Sequence, residues 1–117
     1  MRYKVDIMLI LSVAKDFSKT PGFRFKNQSL GTSGEEFRDN ILEPRYKESI
    51  KKGEKLQVIL DGTNGYLTSF LEEAFGGLQE KNPEKRILDD IEIISNDEKH
   101  WIEDINDYVK DALEKKR

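Results

Sequence analysis

The 117-residue chain contains no cysteine and one histidine, and each shortage removes a class of chemistry. Without thiols there is no disulfide framework, no thiolate metal site and no cysteine nucleophile, which fits a reducing compartment and a cytoplasmic protein. With His100 alone, beside Trp101 at the start of a helix, neither a metal-binding histidine pair nor a Ser-His-Asp arrangement is available. The carboxylates read as solvated helix faces rather than a matched acid-base pair, so we expect no catalytic residue, no metal and no cofactor. Positive charge is not in excess either. A net charge of −3 gives no general reason to bind nucleic acid or an anionic membrane, and Lys47, Lys51, Lys52 and Lys55 read as a solvated helix face. The apolar stretch in MRYKVDIMLILSVAKDF is too short to span a bilayer and lacks the cleavage site of a signal peptide. Gly62, Gly65, Gly76 and Gly77 match neither the P-loop nor the dinucleotide fingerprint. No repeat, low-complexity tract or linker interrupts a length that suits one domain over 1–117.

What is present is order. Val5 to Val13 is nearly all apolar and reads as a central strand, with Val5, Ile7, Leu9, Leu11 and Val13 on one face and Met8 and Ile10 on the other. After Thr20-Pro21-Gly22, the alternation of Phe23 and Phe25 with Arg24 and Lys26 predicts a short second strand. Ser33 and Glu36 have capping-box spacing ahead of a helix with Phe37, Ile41 and Leu42 inside. Pro44 should kink that helix or begin another, with Tyr46 and Ile50 inward and Gly53 as the stop. A strand over Leu56 to Leu60 ends at Asp61. The turn Gly62-Thr63-Asn64-Gly65 leads to a helix with Phe70, Leu71, Ala74, Phe75 and Leu78 inside and Glu72, Glu73 and Gln79 outside. Gly76 and Gly77 predict close packing. A strand over Ile91 to Ile94, a capping-box spacing at Ser95 and Glu98, and a helix bearing Trp101, Ile102, Ile105, Val109, Ala112 and Leu113 complete the chain. The alternation predicts an α/β domain, a small mixed sheet of about four strands packed with three to four helices.

Two adjacent hydroxyls, Thr68 and Ser69, open the helix after the third predicted strand. Ser69 has Glu72 three residues on and Thr68 has Leu71, so capping logic makes Ser69 the N-cap. Asp61, at the carboxyl end of a buried strand, stands where open α/β sheets place functional groups, or it hydrogen-bonds the turn that follows, together with Asn64.

Four stretches carry a resemblance: Pro21-Gly22-Phe23-Arg24, Ser33-Gly34-Glu35-Glu36-Phe37, Val58-Ile59-Leu60-Asp61-Gly62 and, most specifically, the run from Thr68 to Leu78. In these the chain resembles the STAS-like domains of unknown function, relatives of the bacterial anti-sigma-factor-antagonist (STAS) domains. The resemblance implies a STAS-like fold and a non-enzymatic, bacterial regulatory module acting by protein-protein interaction. In those antagonists a strand-end Asp leads to a helix opening with two serines. The first serine is phosphorylated by a partner with a histidine-kinase-like ATP-binding fold. Here Asp61 corresponds to the Asp and Thr68 and Ser69 to the serines, making these two the candidate phospho-acceptors. The implied partner surface is Gly65, Tyr66, Leu67 and Phe70. Leu67 stands where the antagonists have Asp, and Phe70 where they have Gly. The alternatives are a constitutive adaptor or antitoxin-like inhibitor without phosphorylation, and a small-ligand sensor.

Overall fold

The computed structural model describes residues 8–115. Three strands, β1 (Met8–Ser12), β2 (Lys55–Ile59) and β3 (Ile91–Ile94), form a wholly parallel sheet in the order β1-β2-β3. Leu9 pairs with Leu56 and Leu11 with Val58, while Leu56 pairs with Ile91 and Val58 with Ile93, so two apolar rows cross one face of the sheet. Strand order equals chain order, and the right-handed crossovers of parallel strands then put their connecting helices on the same side. That side holds the core. The other presents a middle row of Ile10, Gln57 and Glu92, with the Gln57 carboxamide donating to Glu92 at 3.2 Å. β1 is therefore an edge strand within the described residues, not a central one: Ile10 is 58% exposed, and Val5 and Ile7 lie outside the described residues.

Among the described residues the expected fourth strand does not form, and neither does a mixed sheet. Around Phe23 to Lys26 the chain is an irregular loop, because nearby polar side chains satisfy its backbone before a ladder can. Phe23 N–H donates to Ser29 Oγ at 2.8 Å and Phe25 N–H to Gln28 Oε1 at 3.0 Å. The carbonyls of Phe23 and Arg24 accept from Gly34 and Glu35, two of the orphan donors at a helix start.

Among the described residues the helices form four units. The first is α1 (Val13–Asp16), which ends β1 one residue before the expected Val13 because Ser12 caps it, accepting from Lys15 N–H at 3.2 Å. The second comprises α2 (Gly34–Phe37), a π-helical turn at Arg38–Leu42 and α3 (Glu43–Lys52). It opens with the expected capping box: Glu36 N–H donates to Ser33 Oγ at 3.1 Å, and the Glu36 carboxylate accepts from Ser33. Pro44 lacks a donor for the preceding turn, and the helix widens ahead of it rather than breaking. Gly53 ends the unit at φ 69°, a conformation that costs glycine little. The third unit comprises α4 (Thr68–Leu71), a second π turn at Glu72–Gly76 and α5 (Gly77–Lys81). A short 3₁₀ turn at Ile87–Asp89 leads into β3, and α6 (His100–Glu114) is the fourth unit.

Phe37, Phe70 and Phe75 meet in the core with Leu11, Val58, Ile105 and Val109, and the Phe37 and Phe70 rings stack at 5.7 Å. Two expectations about helix faces and one about a cap need correction. Gln79 is buried, not outside: the extra residue of the π turn advances the helix face by roughly 100°. Its carboxamide then pins the next loop, donating to the carbonyls of Asn82 and Lys85 and accepting from Ile87 N–H at 2.8 Å. Ile50 is 44% exposed rather than inward. The Ser95 capping box is absent, because Ser95 Oγ donates to the Glu98 carbonyl at 2.6 Å and α6 starts beyond Lys99 without a side-chain cap. Helix backbones come close at Gly34, where a Cβ would lie 2.7 Å from the Phe70 carbonyl oxygen and 3.1 Å from Phe70 Cα. At Gly77 the neighbour is a side chain, with a Cβ 2.6 Å from Arg38 Nη1, while Gly76 meets Tyr108 at an ordinary 3.5 Å.

Candidate functional site

β2 delivers the chain to Leu60, whose N–H still donates to the Ile94 carbonyl, and releases it at Asp61. Asp61 does not order the turn after it. Its Oδ1 accepts from the backbone N–H groups of Asn96 and Asp97, both at 2.7 Å, and its Oδ2 from the Asn96 carboxamide at 3.1 Å. In return Asp97 Oδ2 accepts from Gly62 N–H at 3.2 Å. Two carboxylates thus tie together the loops leaving the carboxyl ends of adjacent parallel strands. Parallel alignment is the reason, since both strands end on the same edge of the sheet.

The turn itself is fixed by other groups. Gly62 and Gly65 sit at φ 96° and 120°, where a side chain would be strained. Asn64 is exposed and contributes through its backbone, its N–H donating to the Lys19 carbonyl at 2.9 Å, and Gly65 N–H donates to Thr63 Oγ1. Tyr66 then folds back under the turn. Its hydroxyl donates to the Leu60 carbonyl at 2.7 Å, and its ring meets Trp101 edge-on at 4.8 Å and Phe70 at 5.7 Å. Burial pushes the Tyr66 phenol well above its ordinary range. Neither Tyr66 nor Asp97 is distinguishable in sequence as a loop-ordering group. The only hint is the Asn-Asp pair that follows β3 among turn-forming residues.

Leu67 is the N-cap of α4, with extended backbone and no side-chain cap bond, so Ser69 is not the cap that its spacing to Glu72 suggested. Tyr66 is held down against Leu60 and Trp101, and the helix starts where the chain leaves that anchor, two residues too early for Ser69. Thr68 and Ser69 consequently occupy the first two helical positions, Thr68 exposed and Ser69 half-buried. Burial pushes the Tyr108 phenol of α6 up, while the Thr68 hydroxyl acts in the opposite direction. Of the expected partner surface, Leu67 is 45% exposed and Gly65 and Tyr66 are half-buried. Phe70 is fully buried in the aromatic core and does not belong to that surface.

One helical turn beyond the hydroxyls stand Glu72 and Glu73. Arg24 spans them, 2.6 Å from Glu72 and 3.2 Å from Glu73, and buried Arg38 pairs with Glu73 and also donates to its carbonyl at 3.1 Å. Glu73, expected on an outer face, instead joins the two π turns through Arg38, while Glu72 stays partly exposed against Arg24. Elsewhere, Lys47 and Lys52 pair with Glu43 and Glu48 one turn away on α3, and His100 is exposed beside Glu98 at 3.0 Å. No helix among the described residues is long and apolar enough to cross a membrane.

The family model of the STAS-like domain of unknown function matches residues 33–101, from the capping serine of α2 to the tryptophan under Tyr66. No curated protein and no solved structure matches the chain. The match covers more than half of the sequence and spans β2, β3 and the complete turn and helix start between them: the chain belongs to the STAS-like domain family.

Proposed function

From that membership we propose that the protein is a non-enzymatic bacterial regulatory module. It binds a histidine-kinase-like ATP-binding protein through the surface at Gly65, Tyr66 and Leu67, and phosphorylation of Thr68 or Ser69 switches that binding. The observation that carries this reading is that neither hydroxyl is spent on capping: both stand on the first turn of a helix whose cap is Leu67. Thr68 is the more accessible of the two.

Electrostatics support the reading. A phosphate adds about −1.5 to −2 charges, which the amides at a helix start favour. Glu72 and Glu73 lie one turn away and oppose it, but Arg24 and Arg38 already neutralise them. The fold then tolerates modification, and the change falls on the surface a partner meets, where added charge must be paired or desolvated.

The test is an intact-mass spectrum of the protein isolated from its native host with its co-purifying partner, beside the Thr68→Ala/Ser69→Ala variant. A phosphate adduct that vanishes in the variant, with an ATP-binding partner, is the expected result. An unmodified protein whose partner binding is identical in both forms and indifferent to ATP removes the switch.

A further inference from the structure

The stretch from Phe17 to Gly34 contains Lys19, Arg24 and Lys26 and no acidic residue, in a chain with 23 Asp and Glu. Within it the loop between Pro21 and Gly31 exposes three large apolar side chains, Phe23 at 51%, Phe25 at 44% and Leu30 at 83%. They are not there because the loop is loose. Gly22 N–H donates to the Thr32 carbonyl at 2.8 Å, and Ser29 Oγ and Gln28 Oε1 hold the amides of Phe23 and Phe25. The stretch is also clipped at two points, Lys19 to Asn64 in the turn before α4 and Arg24 to Glu72 and Glu73 in the π turn after it. The stretch is thereby tied to the chain on both sides of the hydroxyl pair, at Asn64 before it and at Glu72 and Glu73 after it. The loop precedes residue 33, where the family match begins.

Ordered apolar side chains held out in water favour a partner that buries them, and a fixed loop loses little entropy on docking. Arg24 is committed to Glu72 and Glu73, while Lys19 and Lys26 are exposed. We infer that this loop is a docking element for a protein partner with an apolar cleft and an acidic rim. Phe23, Phe25 and Leu30 enter the cleft, and Lys19 and Lys26 meet the rim. A lipid surface fits less well. Two lysines supply about 1 kcal/mol each at an anionic membrane, below what lasting attachment requires, and partly exposed Glu72 stands close behind. The inference rests on the proposed regulatory reading in taking the partner to be the same protein.

The experiment places a photo-crosslinking phenylalanine analogue at Phe23, and in a control at Lys110 on the exposed side of α6, and irradiates the native host. The captured protein is identified by mass spectrometry, purified and titrated calorimetrically against the unmodified chain and its variants. Expected are an adduct from Phe23 and none from Lys110, and about tenfold or greater weakening in Phe23→Ser/Phe25→Ser. Lys19→Glu/Lys26→Glu should weaken binding and flatten its salt dependence, and neither double variant should shift Tm. No adduct at Phe23, or unchanged affinity in both variants, overturns the inference. So does co-sedimentation of the chain with equimolar phosphatidylcholine-phosphatidylglycerol vesicles that is lost in the phenylalanine variant. Affinity lost in the loop variants, with ATP indifference in both the unmodified chain and Thr68→Ala/Ser69→Ala, keeps the loop and removes the switch. Unchanged affinity with an ATP effect that needs the hydroxyls does the reverse.

Discussion

The two crossover helices are built alike and begin differently. Each runs a short α segment into a π turn and then returns to α geometry, and their first turns cross where Gly34 faces the Phe70 backbone. The first start has Ser33 at the N-cap, fully buried and locked to Glu36, so its hydroxyl is structural. The second has Leu67 there, and its hydroxyls fall one and two positions later. A displacement of a residue or two along a helix start thus separates a hydroxyl that caps the helix from two that do not.

Breaking the crossing should cost most. In Gly34→Ala the new Cβ meets backbone at Phe70, and overpacking of up to about 3 kcal/mol outweighs the gain of up to about 1 kcal/mol from replacing a helical glycine. Urea denaturation should show a net loss of about 2 kcal/mol, and unchanged stability would mean the two starts can separate freely. Ser33→Ala should cost about 1 kcal/mol as its cap is lost, whereas Thr68→Ala and Ser69→Ala should each stay within about 0.5 kcal/mol. Equal losses at all three positions would erase the distinction. Tyr66→Phe measures what replaces the cap at the second start: the Leu60 carbonyl loses its donor, at a cost of about 1 kcal/mol.

The smallest effects are expected in the pH dependence, and they carry opposite signs. The Ser33 hydroxyl, first, holds the Glu36 carboxyl below its ordinary value. Its contribution is complete above the unfolded-state value and is lost as pH falls through the folded one, so Glu36→Gln should flatten the acid limb of stability. Burial raises the Tyr66 phenol, so its contribution is complete below the unfolded-state value near 10 and declines as pH rises beyond it. Tyr66→Phe should flatten the alkaline limb, read from Tm against pH.

Much of the scaffold was legible because its signals are local. β2 and β3, the apolar stripe from Phe70 to Leu78, the Ser33 cap and the Gly53 stop depend on periodicity and short spacing. The misreadings come from partners distant in sequence or from a change of helical phase. Phe23 and Phe25 alternate like a strand, but Gln28 and Ser29 take their amides. Gln79 is outward on a 3.6-residue period and inward once the π turn has added a residue. Asp61 was identifiable as a loop-ordering residue, yet its partners lie 35 and 36 positions away, so only the strand pairing reveals which loop it orders. Ser69 has the spacing of a cap, and Tyr66, anchored against Leu60 and Trp101, starts the helix before Ser69 can serve as one.

The exchanged carboxylate bonds of Asp61 and Asp97 have a consequence for motion. The amides of Gly62, Asn96 and Asp97 lie outside regular structure, where protons ordinarily pass to solvent within the fluctuations of a single loop. Each is held by a carboxylate from the other loop, so neither segment can open without releasing the other. In deuterated water these three protons should be lost slowly and at a common rate. The two strand ends beneath the helix start therefore behave as one rigid footing, and a charge added at Thr68 would act on its surroundings without loosening the ground it stands on.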